Sequence, residues 1–341
     1  MTSKMEMSEK EVQVSVICIS YNHEKYIRDT LNGIFIQKTN FRYEVIVHDD
    51  ASTDGTAAII MEYAAQYPDI VIPICQTKNQ YSQGIPFLFE YILPKVNGKY
   101  IAYCEGDDYW TDPLKLQRQY DFLEKNPEYV ACGHNVILVE DDNRFMTKDS
   151  PLYSKYYETY TDMIDHDYTL EELGRQAMYG QTCTRMYRNF WNDLPKDFKN
   201  QYILSNEANE DLKLSLLCYC LGKVRCMSGK YAHHRKSVIN DSYTARMRGE
   251  NQCRQILKGC LQLEQLAEYF HVFPDFSPVY AGNVNAAWIQ WFQKPCLKNI
   301  KILIYTLFHT PNKVRAVQYD LKILVRKLNA LWRGAVNGRK F

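Results

Sequence analysis

Short apolar, β-branched runs alternate along the chain with stretches whose apolar positions recur three and four residues apart. Residues 12–20 (VQVSVICIS) have the composition of a central strand covered on both faces. Tyr21-Asn22-His23-Glu24 closes that run, and Tyr26, Ile27, Leu31, Ile34 and Phe35 then follow at helical spacing. Residues 45–48 predict a second strand, and Ile59, Ile60, Tyr63 and Ala64 a helix that Ser52-Thr53-Asp54-Gly55 would cap. Further strands are predicted at 70–75, 100–104 and 129–139. Between the last two, Asp112-Pro113 opens a helix carrying Leu114, Leu116, Tyr120 and Leu123.

The alternation weakens over 140–200, a polar stretch with Tyr153, Tyr156, Tyr157, Tyr160 and Tyr168 and one predicted helix at 170–179. A helix is expected at 211–221 and a strand at 224–231. From Arg246 the character is helical, interrupted at Pro274, Pro278, Pro295 and Pro311. Strands alternating with helices imply right-handed crossovers. The expected fold is therefore α/β, with a mostly parallel central sheet flanked by helices and a helical C-terminal extension. Its expected parts are a flexible tail (1–11), one α/β domain (12–245, with halves 12–139 and 140–245) and the extension (246–341).

Composition changes this picture little. Of the 341 residues 46% are hydrophobic and 24% charged, with a net charge of +1 that exerts no global pull on nucleic acid. The C-terminal end is different, with ten Lys or Arg from Cys296 onward against the single acid Asp320. There Leu321, Leu324, Val325, Leu328, Leu331 and Trp332 form an apolar stripe among basic residues. Such a helix either lies on an anionic membrane or packs on the core. The eleven cysteines include no Cys-x-x-Cys pair, and Cys18, Cys75 and Cys104 sit in apolar runs as small hydrophobes. Reduced cysteines, a polar N-terminus and no apolar run of membrane-spanning length lead to the expectation of a cytoplasmic protein, peripheral at the inner face of the membrane.

The chemistry concentrates at two strand ends. His48-Asp49-Asp50-Ala51-Ser52 follows the second strand, and Glu105-Gly106-Asp107-Asp108-Tyr109-Trp110 follows the fourth. In an open α/β sheet ligands bind beyond the carboxyl ends of the strands. Carboxylates crowded there repel one another unless a cation or hydrogen-bond donors hold them. Asp107 and Asp108 suit Mn2+ or Mg2+, which prefer oxygen ligands. Asp49 and Asp50 suit a base imide or a ribose hydroxyl, and Tyr21 can stack on a flat base. The bland alternatives are an acidic surface turn, a helix cap and a core tyrosine.

Three segments taken together are similar to a family 2 glycosyltransferase. They are residues 14–22 (VSVICISYN), 49–56 (DDASTDGT) and 98–108 (GKYIAYCEGDD). The resemblance covers about residues 12–135. It implies the GT-A fold, inversion at the anomeric carbon, a nucleotide-sugar donor (mostly a UDP-sugar) and a divalent metal. Carried over position by position, it implies that Tyr21 stacks on the base and Asp50 binds it, with Asp49 beside it. Asp107 would meet the ribose or metal and Asp108 would ligate the metal. Asn79 and Gly84 resemble the loop that closes around the nucleotide. Glu105 departs from the pattern, since many relatives carry Asp there.

Residues 12–139 would then be the nucleotide-binding half and 140–245 the acceptor half. Inversion needs a base for the acceptor hydroxyl. The resemblance assigns Asp211, at the start of a helix, with Glu207 and Glu210 as alternates. The segment 231–237 (YAHHRKS) reads as a basic, imidazole-bearing loop that resembles the family's segment closing on the diphosphate, with His234 at the matching histidine and suited to a metal or phosphate contact; the alternative is a solvated surface loop. Expected partners are the donor, a saccharide or lipid-linked acceptor and, through the basic C-terminal helices, the membrane surface; no nucleic acid is expected. A nucleotidyltransferase would want a glycine- and basic-rich loop where this chain has Tyr21-Asn22-His23-Glu24. A non-catalytic GT-A module is the other alternative. Neither Gly-x-Gly-x-x-Gly nor a P-loop is present.

Overall fold

β1 (Val12–Ser20), β2 (Arg42–Asp49), β3 (Val71–Cys75) and β4 (Tyr100–Tyr103) form where the apolar runs predicted strands. The computed structural model describes residues 11–150, 161–174, 178–205, 209–236, 252–293, 299–301, 304, 306, 308 and 310. Tyr153, Tyr156, Tyr157, Tyr160, Glu207, Ser237 and the basic segment beyond Pro311 lie outside the described residues. The described residues divide into two units, one falling within Met1–Tyr168, Met178–Lys196 and Leu217–Ile239, the other within Thr169–Ala177, Asp197–Leu216 and Asn240–Phe341.

The first unit holds a nine-stranded sheet. Its remaining strands are β5 (Tyr109–Trp110), β6 (Tyr129–Glu140), β7 (His166–Tyr168), β8 (Met186–Arg188) and β9 (Lys223–Lys236). They run in the order β3-β2-β1-β4-β8-β6-β9-β5, with β7 paired to β9. The β3-β2-β1-β4 half is parallel throughout, as expected. Beyond β4, only β6 and β9 are parallel, and β8, β5 and β7 all pair antiparallel. The short strands β5, β7 and β8 carry too few residues for a periodicity, and only pairing to longer neighbours defines them.

β1, β2 and β4 are buried along most of their length on both faces, which is why they read as continuous apolar runs. Val14, Val16 and Cys18 of β1 join a core with Ile27, Leu31 and Ile34 of α1 (Ile27–Phe35) and Ile59 and Ile60 of α2 (Thr56–Gln66). Gly33 lets α1 approach β5, since a Cβ there would lie 2.6 Å from the Trp110 carbonyl oxygen. α3 (Lys115–Lys125) starts just after the predicted Asp112-Pro113, with the Asp112 carboxylate accepting the Leu114 N–H.

Below β5 lies Lys115, fully buried, its Nζ 3.8 Å over the Trp110 ring and without a hydrogen-bond partner among the described residues. Burial lowers its pKa to about 8.

The helix predicted at 170–179 is a single turn, α4 (Leu170–Leu173), with a Thr169–Glu172 capping box. α5 (Lys196–Leu204), α6 (Glu210–Leu221), α7 (Gln252–Tyr269) and α8 (Ser277–Gln293) follow. Pro278 falls in the first turn of α8, where its missing N–H costs nothing, so it starts that helix and does not interrupt it. No helix among the described residues is long and apolar enough to cross a membrane.

Candidate active site

The strand register brings the two acidic turns to either side of the end of β1. Ser20 pairs with Asp49, and the Asp50 N–H donates to the Ser20 carbonyl at 3.0 Å. On the other side the chain leaving β4 continues along β1, with Cys104 N–H donating to Ile17 O at 3.0 Å and Gly106 N–H to Ile19 O at 2.9 Å. Gly106 is required by this approach, since a Cβ would lie 2.7 Å from His23 Nδ1 and 2.8 Å from Ser20 Oγ. Those two buried atoms have no hydrogen-bond partner among the described residues. Tyr21 follows directly, half-buried and without a partner for its ring or hydroxyl among the described residues.

At the β2 end both carboxylates are engaged locally. Asp49 accepts the Ser52 hydroxyl and, at 3.1 Å, the Ser52 N–H. Asp50 accepts the N–H of Gln80 at 2.6 Å and of Tyr81 at 3.0 Å, and its carbonyl takes the Asn79 amide at 3.0 Å. Asn79 in turn accepts the Ser82 N–H at 2.7 Å, so it builds the loop, which ends at Gly84 with φ +69°. Asn22, also left-handed, donates its N–H to Ser52 Oγ at 2.8 Å and accepts the Thr53 N–H at 2.8 Å. Gly55 occupies the cap of α2, and Asp54 accepts the Thr56 N–H at 3.0 Å.

The β4 end is held from far along the chain. Asp108, buried, lies 2.8 Å from His234 Nδ1 through one oxygen and accepts the Arg235 N–H at 2.8 Å through the other. Its carbonyl takes the Thr30 hydroxyl at 2.6 Å. Burial pushes the Asp108 carboxyl up, but the imidazole beside it and the Arg235 N–H more than offset this, leaving its pKa below the ordinary value. Asp107 is half-buried, and its carbonyl accepts from the Arg235 guanidinium.

The buried Arg235 side chain also pairs with Asp29 at 2.9 Å and Asn143 Oδ1 at 2.5 Å, and stacks 4.4 Å from the Tyr26 ring centre. It therefore fixes the strand carrying His234 to the Asp107–Asp108 turn. His233 faces Tyr109, Nδ1 to hydroxyl 2.7 Å.

These contacts correct the expected basic loop. Residues 231–236 belong to β9, paired with β6 from Ala232 to Lys236 and with β5 at Ala232 and His233. Strand pairing on two sides overrides the polar composition of this segment.

Cys183, buried in the 3-10 turn Thr182–Thr184, offers a thiol beside Asp108 and His234. The three ligand atoms lie within 4.8 Å of one another. Burial, then the charge of Asp108, raises the thiol pKa well above its usual value. A lone cysteine between Gln181-Thr182 and Thr184 carries no ligand signature in the sequence.

The donor set fits a divalent cation. A carboxylate oxygen and an imidazole nitrogen 2.8 Å apart lie close to the spacing of neighbouring ligands on one small ion, about 3 Å for bonds of ~2.1 Å.

Asp211 is the second residue of α6, partly buried, in the second unit, and its carbonyl accepts the Ser215 hydroxyl at 2.7 Å. Of its alternates, Glu210 accepts the Tyr202 hydroxyl at 2.8 Å and pairs with Lys213 at 2.7 Å.

The parallel half-sheet with acidic turns at its carboxyl edge defines the GT-A class of glycosyltransferase fold. Residues 15–193 match Glycosyl transferase family 2, and the chain belongs to that family. The uncharacterized protein Rv1520 of Mycobacterium tuberculosis is 46% identical over 139 residues, 41% of this chain and 39% of the relative. TuaG of Bacillus subtilis, named as a teichuronic acid biosynthesis glycosyltransferase, is 29% identical over 165 residues, 46% of this chain and 63% of its own length. The chain thus spans about two fifths of the mycobacterial relative's length. Among solved structures, residues 1–349 of Staphylococcus aureus TarS with UDP-GlcNAc superpose with a TM-score of 0.58 at 16% identity, over 87% of this chain and 80% of that one. That likeness concerns the fold.

Proposed function

We propose that the chain moves a sugar from a nucleotide diphosphate sugar, most simply a UDP-sugar, to a hydroxyl of a saccharide or lipid-linked acceptor, with inversion and dependence on Mn2+ or Mg2+. The observation that carries this reading is the convergence of Tyr21, the Asp49–Asp50 turn and the Asp107–Asp108 turn around the end of β1, with Asp108 2.8 Å from His234. The TarS structure holds UDP-GlcNAc on a similar fold, which supports a nucleotide-sugar donor. The name of TuaG supports a role in cell-surface polysaccharide synthesis.

Tyr21 offers its unpartnered ring to the base. Asp50 fixes the loop at Gln80 and Tyr81, and each of its oxygens keeps a lone pair for a base imide. Asp49 and Asn79 hold the walls of the same pocket, and Asp107 faces the ribose or the ion. A divalent cation held by Asp108 and His234 would offset the charge that builds on the departing diphosphate. Asp211 is the proposed base, taking the proton of the acceptor hydroxyl as it attacks the anomeric carbon from the face opposite the diphosphate.

Calorimetry with UDP, GDP and dTDP in the presence of manganese tests the donor half of the proposal, and no binding of any of the three would defeat it. Asp211→Asn should retain nucleotide binding and lose transfer. Release of pyrophosphate from a nucleoside triphosphate would instead favour a nucleotidyltransferase.

A further inference from the structure

Four of the eight cysteines of the first unit, Cys18, Cys75, Cys132 and Cys226, are strand residues, and Cys183 stands apart from them. Its Sγ faces two groups able to bind metal, Asp108 and His234, and the three donors lie within 4.8 Å of one another. They come from three separate elements. Asp108 belongs to the turn between β4 and β5, Cys183 to a 3-10 turn ahead of β8, and His234 to β9.

The thiol is held in place by its own backbone. The Cys183 carbonyl accepts Trp110 Nε1 at 2.7 Å, tying it to the strand two residues past Asp108. The Thr184 carbonyl accepts Gln119 Nε2 at 2.8 Å, and the Thr184 N–H closes the turn on Gln181 at 2.9 Å. The His234 nitrogen that faces Asp108 is Nδ1, 2.8 Å from the carboxylate, so an ion shared by the three residues meets the ring through that atom.

We propose that Cys183 is a third protein ligand of the divalent ion, giving the site one oxygen, one nitrogen and one sulfur donor. A sulfur donor shifts preference away from magnesium, which favours all-oxygen surroundings, toward ions that accept nitrogen and sulfur such as cobalt and zinc, with manganese between them. Binding the ion transfers the thiol proton to solvent and leaves a thiolate–metal bond. This inference rests on the metal-dependent reading above and specifies which ions that site takes.

The test uses the full chain, reduced and stripped of metal with a chelator, then titrated with Co2+ and separately with Cd2+ in the absence of nucleotide. The expected result is a sulfur-to-metal charge-transfer band that saturates at one ion per chain and disappears in Cys183→Ser. In that variant cadmium affinity should fall by more than the roughly 10- to 100-fold that loss of an outer-shell partner costs. Absence of the band in the unmutated chain, or its persistence in Cys183→Ser, overturns the proposal. Should that variant fail to fold, cadmium-113 NMR of the unmutated chain decides the matter, because its shift separates a donor set with one sulfur from one with none. UDP binding in manganese, measured in parallel, separates the two readings. A nucleotide-binding chain with no sulfur signal loses only this inference, while a sulfur signal without nucleotide binding leaves the metal site and removes the donor.

Discussion

The acidic turns after β2 and β4 look alike in sequence but are anchored differently. Asp49 and Asp50 are satisfied by backbone and hydroxyl groups of Ser52, Gln80 and Tyr81, at most about thirty positions away, and their work is to shape the loops around Tyr21. Asp108 is satisfied by His234 and Arg235, 126 and 127 positions away, and the Cys183 thiol lies within 4.8 Å of it. A carboxylate met by local N–H groups is an architectural anchor. One met by an imidazole from β9 and a thiol from a 3-10 turn is the site proposed to hold the ion. On the proposed reading, similar residues at equivalent strand ends are therefore divided between building the pocket and holding the chemistry.

Four substitutions would break or sharpen that division. Asp108→Asn removes an ionic donor from the β4 turn and should lower kcat/KM by about 10^3-fold, the scale of losing one pre-organised electrostatic contact. Circular dichroism should remain unchanged, and retained transfer would show that this turn is architectural too.

Lys115→Met, beneath the same turn, should raise stability at pH 7 by up to about 3 kcal/mol, because it removes a buried cation whose pKa burial lowers from 10.5 to about 8. The sign follows from proton counts. Between pH 8 and 10.5 the unfolded chain binds more protons at Lys115 than the folded chain, so wild-type stability should rise with pH across that window. The Met variant should lack the rise, and urea unfolding at several pH values would measure it. A parallel rise in both proteins would refute the assignment.

Asp50→Ala should cost about 2 kcal/mol by leaving the Gln80 and Tyr81 N–H groups without their acceptor. It should also speed hydrogen exchange at those two amides while the metal band of the β4 turn stays intact. Weakened cobalt binding in this variant would show that the turns are coupled and not divided. Ser52→Ala is the mildest of the four, at about 1 kcal/mol, since Asp49 keeps the Ser52 N–H and the Asn22 N–H it releases is open to water. Thermal melts should detect it with little change in nucleotide affinity.

Much of the first unit was legible in the order of residues because its strands are buried on both faces and its helices bury one face. β1 matches the predicted 12–20. β2 and β6 differ from prediction only at their ends, where pairing extends the ladder. The C-terminal half of β9 was not legible. His233, His234, Arg235 and Lys236 look like a solvated loop, and they form strand because β6 and β5 supply hydrogen-bond partners on both sides. Arg235 would pass for a surface cation, yet its side chain is only 1% exposed, surrounded by Asp29, Asn143 and two tyrosine rings.

The order of residues by itself determined the alternating α/β elements, the apolar strands at the centre of the sheet and the presence of two carboxylate pairs at strand ends. Those features depend on local periodicity and on residue type, and a linear chain displays both. Only the tertiary structure decided which carboxylate meets an imidazole, which anchors a neighbouring loop, and that Cys183 lies beside Asp108. Such pairings depend on register and crossover between segments many residues apart, and no local pattern encodes the distance at which they meet.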